Sequence, residues 1–442
     1  MYMNHVRQRF HAVGHGTFLT GVVADDEGTK FSWVYDCGSK RSEPLKKALA
    51  GMESWVDWPD TIDMLILSHF DDDHVNGIEE LLRKRRVGSL ILPYSDWQQR
   101  LRNAAIGGLK GMSSSTAHMQ LDPIGWLESR DLGQRIDRLL LIRGGGGSDQ
   151  DAPPPGPFFL PSGPQSNLND DERPGGEMSV NLASDLRMND VMASTVMQVH
   201  SMRHQRPMQI DSLPMEFMFY NAELSGSELG IIQSIGGKTV ARKSGLPLSQ
   251  VRKDVEKTIG ALGLAYPFAS LVPDWRAKLK ACYQMHFGST GKSRNNISLC
   301  MNVRPLPMDG TVEPCGFFPV DLADEVYIIE TEEQEADFDF SRPAVLYTGD
   351  LKINKQVISA MQTHFGISRW NQIGVTQVPH HGSEHSWEAG NAARLAPSAF
   401  VHCAPGSAAH PHAHVRGDLA GLQVFTADYS KSVTLDYHFW AS

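Results

Sequence analysis

Short apolar runs punctuated by polar turns dominate the two ends of the chain. Phe18–Ala24 and Phe31–Tyr35 are β-prone and separated by the polar turn Asp25–Lys30. Thr61–Ser68 predicts a further strand, bounded by Pro59-Asp60 and then by a burst of charge. Gly77–Arg86 has helical spacing, with Ile78, Leu81 and Leu82 on one face. From about 100 to 285 helical patterns prevail, as in Asp185–His200 and Leu248–Leu264. From Asn296 onward strands return at Ile297–Val303, Glu325–Ile329, Ala344–Tyr347, Gly374–Val378, Ala399–His402, Leu422–Thr426 and Ser432–Tyr437. Gly144–Gly176 is too rich in Gly and Pro to offset its ordering entropy by burial, which predicts a mobile loop. Asp321–Asp339 carries nine acidic residues and no basic one, the pattern of a solvated hairpin.

The 442 residues allow two folded units or one enlarged one. With 41 Lys+Arg against 51 Asp+Glu, the net charge of −10 excludes a protein that coats nucleic acid by charge alone. Arg83–Arg86 and Arg203–Arg206 are basic clusters within that acidic whole. Cys37, Cys282, Cys300, Cys315 and Cys403 form no CxxC pair, which excludes a cysteine-only zinc knot and suits a reducing compartment. Apolar runs such as Met64–Leu67 and Leu139–Ile142 fall far short of the roughly 20 residues that cross a bilayer. These features predict a soluble, cytoplasmic protein without a membrane partner.

The segment Ser68-His69-Phe70-Asp71-Asp72-Asp73-His74 follows the Thr61–Ser68 strand. Its carboxylates and imidazoles would repel like neighbours unless a cation sat among them. Two later strands end in similar donors, Thr348-Gly349-Asp350 and His380-His381-Gly382-Ser383. Core packing does not require three strand ends to deliver ligand-type side chains. Gly288–Ser293 ends like a phosphate-binding loop, but His286 stands where the first glycine of that loop belongs.

In order, HxDxDH, TGD and HHGS resemble the metallo-β-lactamase superfamily of metal hydrolases, and within it the branch containing the hydrolase domain of the competence protein ComEC. Val13–Thr17, Asp36-Cys37-Gly38, Asn295–Leu299, Ala409–His412 and Val424–Asp428 are similar to further segments of that branch. Two departures stand out: Asp71 replaces the superfamily's second His, and His15-Gly16-Thr17 replaces the branch's Gln-Gly-Asp.

The resemblance implies an α/β fold, an αββα metallo-β-lactamase sandwich carrying a large, mainly helical insertion. Its first half would occupy 1–95, the insertion 96–287 and the second half 288–442. It implies two divalent cations, Zn²⁺ first and Mn²⁺ next. One would be held by His69, Asp71 and Asp350, with Asn295 or Asn296 as a candidate further ligand; the other by Asp73, His74, Asp350 and His380. Asp73 would also orient a hydroxide bridging the metals, and His410 or His412 would protonate the leaving oxygen. His381 and Ser383 would bind substrate, support His380 or serve as further metal ligands, and Asp36 would steady a ligand histidine. The expected activity is that of a phosphodiesterase or nuclease acting on a nucleic acid or nucleotide. The alternatives are a hydrolase of a small ester or lactone, and a metal-stabilised, non-catalytic subunit whose insertion docks a protein partner.

Overall fold

A computed structural model describes residues 2–55, 58–109, 111–144, 158–160, 177–178, 198–210, 213–222, 225–289, 298–306, 312–321, 342–405 and 410–441. In chain order the strands are β1 (Tyr2–Phe10), β2 (Phe18–Asp25), β3 (Gly28–Cys37), β4 (Thr61–Ile66), β5 (Arg86–Pro93), β6 (Ile136–Arg143), β7 (Phe158–Leu160), β8 (Glu177–Met178), β9 (Gln198–Arg203) and β10 (Met208–Ile210). They continue as β11 (Leu213–Asn221), β12 (Ile232–Ile235), β13 (Lys238–Ala241), β14 (Leu299–Pro305), β15 (Val312–Asp321), β16 (Ala344–Tyr347), β17 (Ile373–Gln377), β18 (Ala399–Cys403), β19 (Val424–Ala427) and β20 (Lys431–Ala441). The helices are α1 (Ser42–Trp55), α2 (Asp72–Val75), α3 (Ile78–Lys84), α4 (Trp97–Leu109), α5 (Ser114–Leu121), α6 (Pro123–Glu128), α7 (Leu248–Ala261), α8 (Trp275–Phe287), α9 (Lys355–Asn371), α10 (Asn391–Leu395) and α11 (Ala413–Asp418).

Two large sheets result. One has the order β15-β20-β1-β2-β3-β4-β5-β6-β9-β8, the other β19-β18-β17-β16-β14-β11-β10-β7. Their facing sides share one apolar core, in which Phe31, Trp33 and Tyr35 of the first sheet meet Phe217, Phe219 and Tyr347 of the second. Tyr35 stacks on Tyr347 with ring centroids 5.1 Å apart. The outer face of the first sheet packs under α1, α3 and α6, and that of the second under α9, α10 and α11. Both faces of each sheet are therefore covered, and the central strands read as nearly continuous apolar runs for that reason. The layer order is the αββα sandwich expected from the sequence.

Over 96–287 helices prevail among the described residues, and the same segment also supplies strands to both large sheets. β6 and β9 extend the first sheet in parallel register, Leu140 opposite Ile91 and His200. β11 pairs antiparallel with β14 across Met215–Asn221 in the second sheet. These strands were hard to read because their apolar positions are interrupted: Glu216 sits in the middle of β11, buried by its ion pairs with Arg304 and Arg369. The expected helix over Asp185–His200 ends in residues that form β9, and its earlier part lies outside the described residues. Leu248–Leu264 does give α7. A smaller helical core remains, built by α4 and α5 with α7 and α8 around Leu101, Leu121, Val255 and Tyr283. Most of Gly144–Gly176 and of the acidic run Asp321–Asp339 lies outside the described residues. Among the described residues no helix is long and apolar enough to cross a membrane.

Candidate metal centre

In the first sheet β3, β4, β5 and β6 are parallel, and in the second so are β16 to β19. Their carboxyl ends open on one edge of the sandwich, where ligand sites of α/β sheets gather. β3 delivers Asp36 there, β4 the His69–His74 loop, β16 Asp350, β17 His380 and His381, and β18 the Cys403 carbonyl. The antiparallel β2 and β14 begin at the same edge and bring His15 and Ser298. Close approach explains two glycines. A Cβ on Gly38 would lie 2.5 Å from backbone atoms of Asp73 and His74, and Gly349, at φ +52, would place one 2.8 Å from Ser68 Cβ.

Asp350 is at the centre, almost wholly buried. Its Oδ1 lies 3.1 Å from His74 Nε2, and its Oδ2 3.4 Å from His380 Nε2 and 3.7 Å from His69 Nε2. Donor atoms of His69, His74 and Asp350 lie within 4.8 Å of one another, as do those of His15, Asp73 and His381. His381 links the two groups: its Nε2 is 3.7 Å from Asp73 Oδ2 and 3.8 Å from Asp350 Oδ1. His15 Nε2 is 3.6 Å from Asp73 Oδ2.

Four imidazoles turn the same way. His74 Nδ1 meets Asp36 Oδ2 at 2.7 Å, His69 Nδ1 meets Ser68 Oγ at 2.9 Å, His380 Nδ1 meets Ser386 Oγ at 2.7 Å, and His381 Nδ1 meets the Cys403 carbonyl at 2.8 Å. A carbonyl oxygen only accepts, so His381 Nδ1 carries the proton and its neutral ring offers the Nε2 lone pair inward. Asp36 fixes His74 in the same way while accepting from Ser68 N at 2.7 Å and Ser68 Oγ at 2.6 Å. His380 and His381 both adopt left-handed backbone, φ 48 and 54, and Asp36 does so at φ 56. Such conformations cost about 1–3 kcal/mol each and persist where surrounding contacts dictate them.

The charges are strongly coupled. Burial opposes ionisation of Asp350, but His380, His74 and His69 outweigh it and hold the carboxyl well below its usual range. Burial likewise opposes charge on His74, yet Asp350 and Asp36 raise it well above the usual imidazole range. Asp73 is lowered to about 2: burial acts upward, and His74 and His381 prevail. His381 and His15 go the other way, to about 4 and about 3, burial being the largest cause in each.

This donor set fits divalent cations. Imidazole nitrogens and carboxylate oxygens converge, and among the described residues the buried His381 Nε2 makes no hydrogen bond. The grouping differs from the sequence expectation. His74 stands with His69 and Asp350, and Asp73 with His381 and His15, so His381 faces the centre directly. Asp71 lies at the margin, its Oδ2 3.8 Å from His69 Nε2. Asp72 points away; it accepts from Ser113 N at 3.0 Å and from Thr116 Oγ1, tying the loop to the start of α5. Ser383 closes the turn after His380, its N–H donating to the His380 carbonyl at 2.9 Å. Asn295 and Asn296 lie outside the described residues, and Ser298 reaches the site instead, accepting from Asp350 N at 3.0 Å.

His410 and His412 border the second group. The His410 ring centroid is 5.1 Å from that of His15 and 4.7 Å from that of His412, whose Nδ1 accepts from Glu384 N at 3.2 Å. The sequence alone gave no site role to His15, Ser68, Ser386 or His402. His15 was visible as a histidine in the glycine-flanked opening turn. His402, whose Nε2 meets the His381 carbonyl at 2.8 Å, carried no signal. Backbone bonds hold His15 in place: Thr17 N to Asp73 O at 3.1 Å and Lys40 N to His15 O at 2.7 Å. Lys40 Nζ in turn contacts His15 Nε2 and lies 3.7 Å from Asp73 Oδ2.

No protein-family model matches the chain, and no curated protein does. Among solved structures it is similar to the metallo-β-lactamase fold protein YhfI from Bacillus subtilis, with TM-score 0.34 and 10% identity over 98% of this chain and 100% of that one. It is also similar to a long form RNase Z from yeast, with TM-score 0.29 and 9% identity over 85% of this chain and 32% of that one.

Proposed function

We propose that this chain is a metal-dependent hydrolase that cleaves phosphodiesters, with a nucleic acid or nucleotide as substrate. The observation that carries the reading is the common orientation of His69, His74, His380 and His381, each Nδ1 engaged on its outer side and each Nε2 turned towards Asp350 or Asp73. Stabilising a fold does not require four imidazoles and two carboxylates to converge in this way; holding a pair of cations does.

His69, His74 and Asp350 would hold one cation, with His380 against the same carboxylate. His15, Asp73 and His381 would hold the other. When bound, such cations lower the pKa of water and neutralise charge on phosphoryl oxygens. The chain's own groups supply the rest. Asp73 accepts a hydrogen bond from the attacking water and sets its direction. His410, at the rim, donates a proton to the departing oxygen, with His412 beside it. Burial is the largest cause lowering His410 below the usual imidazole range, so its donating form is populated on the acid side of that range. Lys40 places a positive charge at the same rim, where it can meet a second phosphate oxygen.

The test is metal analysis of the purified chain together with hydrolysis of bis-p-nitrophenyl phosphate in Zn²⁺, Mn²⁺ or Mg²⁺. Bound divalent metal and hydrolysis lost in Asp350→Ala are expected. Metal-free protein, or activity on p-nitrophenyl acetate with none on the phosphodiester, would overturn the reading.

A further inference from the structure

The basic cluster Arg83–Arg86 is neutralised by its neighbours. Arg83 pairs with Glu79 at 2.9 Å, Lys84 with Glu80 at 3.3 Å, Arg85 with Asp60 at 3.5 Å and Arg86 with Asp137 at 2.7 Å. Positive charge that is open to a partner lies in the module built by the hairpin β12–β13 with α7 and α8. Residues 225–289 hold nine Lys and Arg against four Asp and Glu, a net +5 in a chain of −10. Lys238, Lys243, Lys253, Lys257 and Lys278 are exposed, and among the described residues none of them makes an ion pair. Glu256, the nearest carboxylate to this set on α7, is taken by Arg252 at 2.8 Å.

Local structure sets where these charges stand. Val251, Val255 and Ile259 bury one face of α7, which leaves Lys253 and Lys257 neighbours on the other. Like charges four apart repel mildly, and a polyanion laid across them removes that repulsion. Gly236 and Gly237 join β12 to β13, both at positive φ (57 and 76), as a two-residue hairpin turn requires. Val240 and Ala241 anchor the base of β13, whereas Gln233, Ser234, Ile235, Lys238 and Thr239 are all exposed. The outer half of the hairpin is therefore wet on both faces. Val240 bridges Pro247, so the hairpin rises from the N-terminal end of α7.

The module is also tied to the metal-site loop. Arg276, at the start of α8, donates to the Met112 carbonyl through Nε at 3.2 Å and Nη2 at 2.7 Å. The adjacent Ser113 donates its N–H to Asp72 at 3.0 Å, and Asp72 precedes Asp73. Lysine ammonium groups attract phosphates whatever the base sequence. A narrow ribbon carrying uncharged donors and acceptors can lie in a nucleic-acid groove or along an unpaired strand.

We infer that the hairpin β12–β13 and the outer face of α7 bind the sugar-phosphate backbone of a nucleic-acid chain, so that the substrate extends several nucleotides past the bond being cut. The phosphodiesterase reading identifies the polyanion; the inference makes it a polymer instead of a free nucleotide. Lys238, Lys243, Lys253 and Lys257 meet its phosphates, and they touch none of the groups that hold metal.

The test titrates the purified chain with fluorescein-labelled, phosphorothioate-linked oligonucleotides, single- and double-stranded, by fluorescence anisotropy over about 50–200 mM salt. At least one should bind, with an affinity that falls steeply with salt. The variant Lys238→Ala/Lys243→Ala/Lys253→Ala/Lys257→Ala should weaken it at least about tenfold and lower the log–log salt slope by about three. Its hydrolysis of bis-p-nitrophenyl phosphate should match that of the unmodified chain, and circular dichroism checks its fold. Oligonucleotides that fail to bind, or that bind the folded variant equally well, would overturn the inference. So would displacement of the probe by poly-L-glutamate as readily as by unlabelled oligonucleotide at equal charge, the result expected of a site for acidic proteins. Hydrolysis of bis-p-nitrophenyl phosphate without oligonucleotide binding would remove only this surface; lysine-dependent binding without hydrolysis would remove the catalytic reading and leave the surface standing.

Discussion

Replacing Asp36 by Asn tests whether the imidazoles are held in a ligand-ready tautomer. Asp36 is completely buried and accepts three hydrogen bonds, from Ser68 N, from Ser68 Oγ and from His74 Nδ1. Asparagine preserves the volume but provides only one acceptor oxygen. If its NH₂ faces His74, the ring must accept at Nδ1 and carry its proton on Nε2, which removes the lone pair that a cation between His74 and Asp350 would take. If its NH₂ faces Ser68, two N–H groups oppose each other in a dry site. Either arrangement forfeits one buried hydrogen bond to a charged group, about 1.5–3 kcal/mol. Loss of such a supporting contact typically weakens metal affinity 10–100-fold. Competition against a chromophoric chelator reads that change directly, and circular dichroism reports whether the fold survives. A folded Asp36→Asn variant that binds metal within threefold of the unmodified chain would refute the tautomer argument.

Other consequences are equally concrete. His381→Ala should lower bound metal from two equivalents towards one by elemental analysis; two equivalents retained would exclude His381 as a ligand. Chelation should lower the melting temperature, because cations that bind only the folded chain stabilise it by mass action; an unchanged melt in EDTA would count against resident metal. Gly349→Ala should cost roughly 1–3 kcal/mol in urea unfolding, since it forces a Cβ against Ser68 at a left-handed φ; a neutral effect would show that the edge relaxes freely. Glu216 supplies a pH test: burial raises its pKa, but the Arg369 hydrogen bond and the Arg304 guanidinium outweigh this and hold it below the ordinary value. Its contribution is therefore present above the unfolded value of about 4.3 and disappears as pH falls through the lower folded one. Glu216→Gln should flatten that acid limb of the stability curve and destabilise the chain by roughly 3 kcal/mol near neutrality; an unchanged limb would assign the acid sensitivity to other carboxylates.

The legible parts of the sequence were those where local chemistry and periodicity agree. β2, β3, β16, β17 and β18 are apolar runs ended by Gly, Asp or His, and the same punctuation marked His69–His74, Asp350 and His380-His381 at one sheet edge. β1 was missed although it alternates, because two of its inward positions are Asn4 and Gln8, both buried. Gln8 belongs there because it accepts from the Tyr347 hydroxyl across the two sheets, a partner more than 300 residues away. Leu139–Ile142 was noticed as apolar, yet nothing local marks it as the continuation of a sheet begun by β4 and β5. The partition of ligands was also out of reach: whether His74 stands with Asp73 or with His69 depends on the turn of α2, not on spacing. His15 lies far along the chain from the residues it meets, and only the antiparallel start of β2 brings it to them.

If this sheet edge gathers a pair of cations, both should be visible in a crystal. Anomalous diffraction at the zinc edge, from crystals of this chain grown with Zn²⁺, would locate them. Two adjacent peaks are expected, one against His69, His74 and Asp350 and the other against His15, Asp73 and His381. A single peak elsewhere on the surface, or none at this edge, would contradict that arrangement.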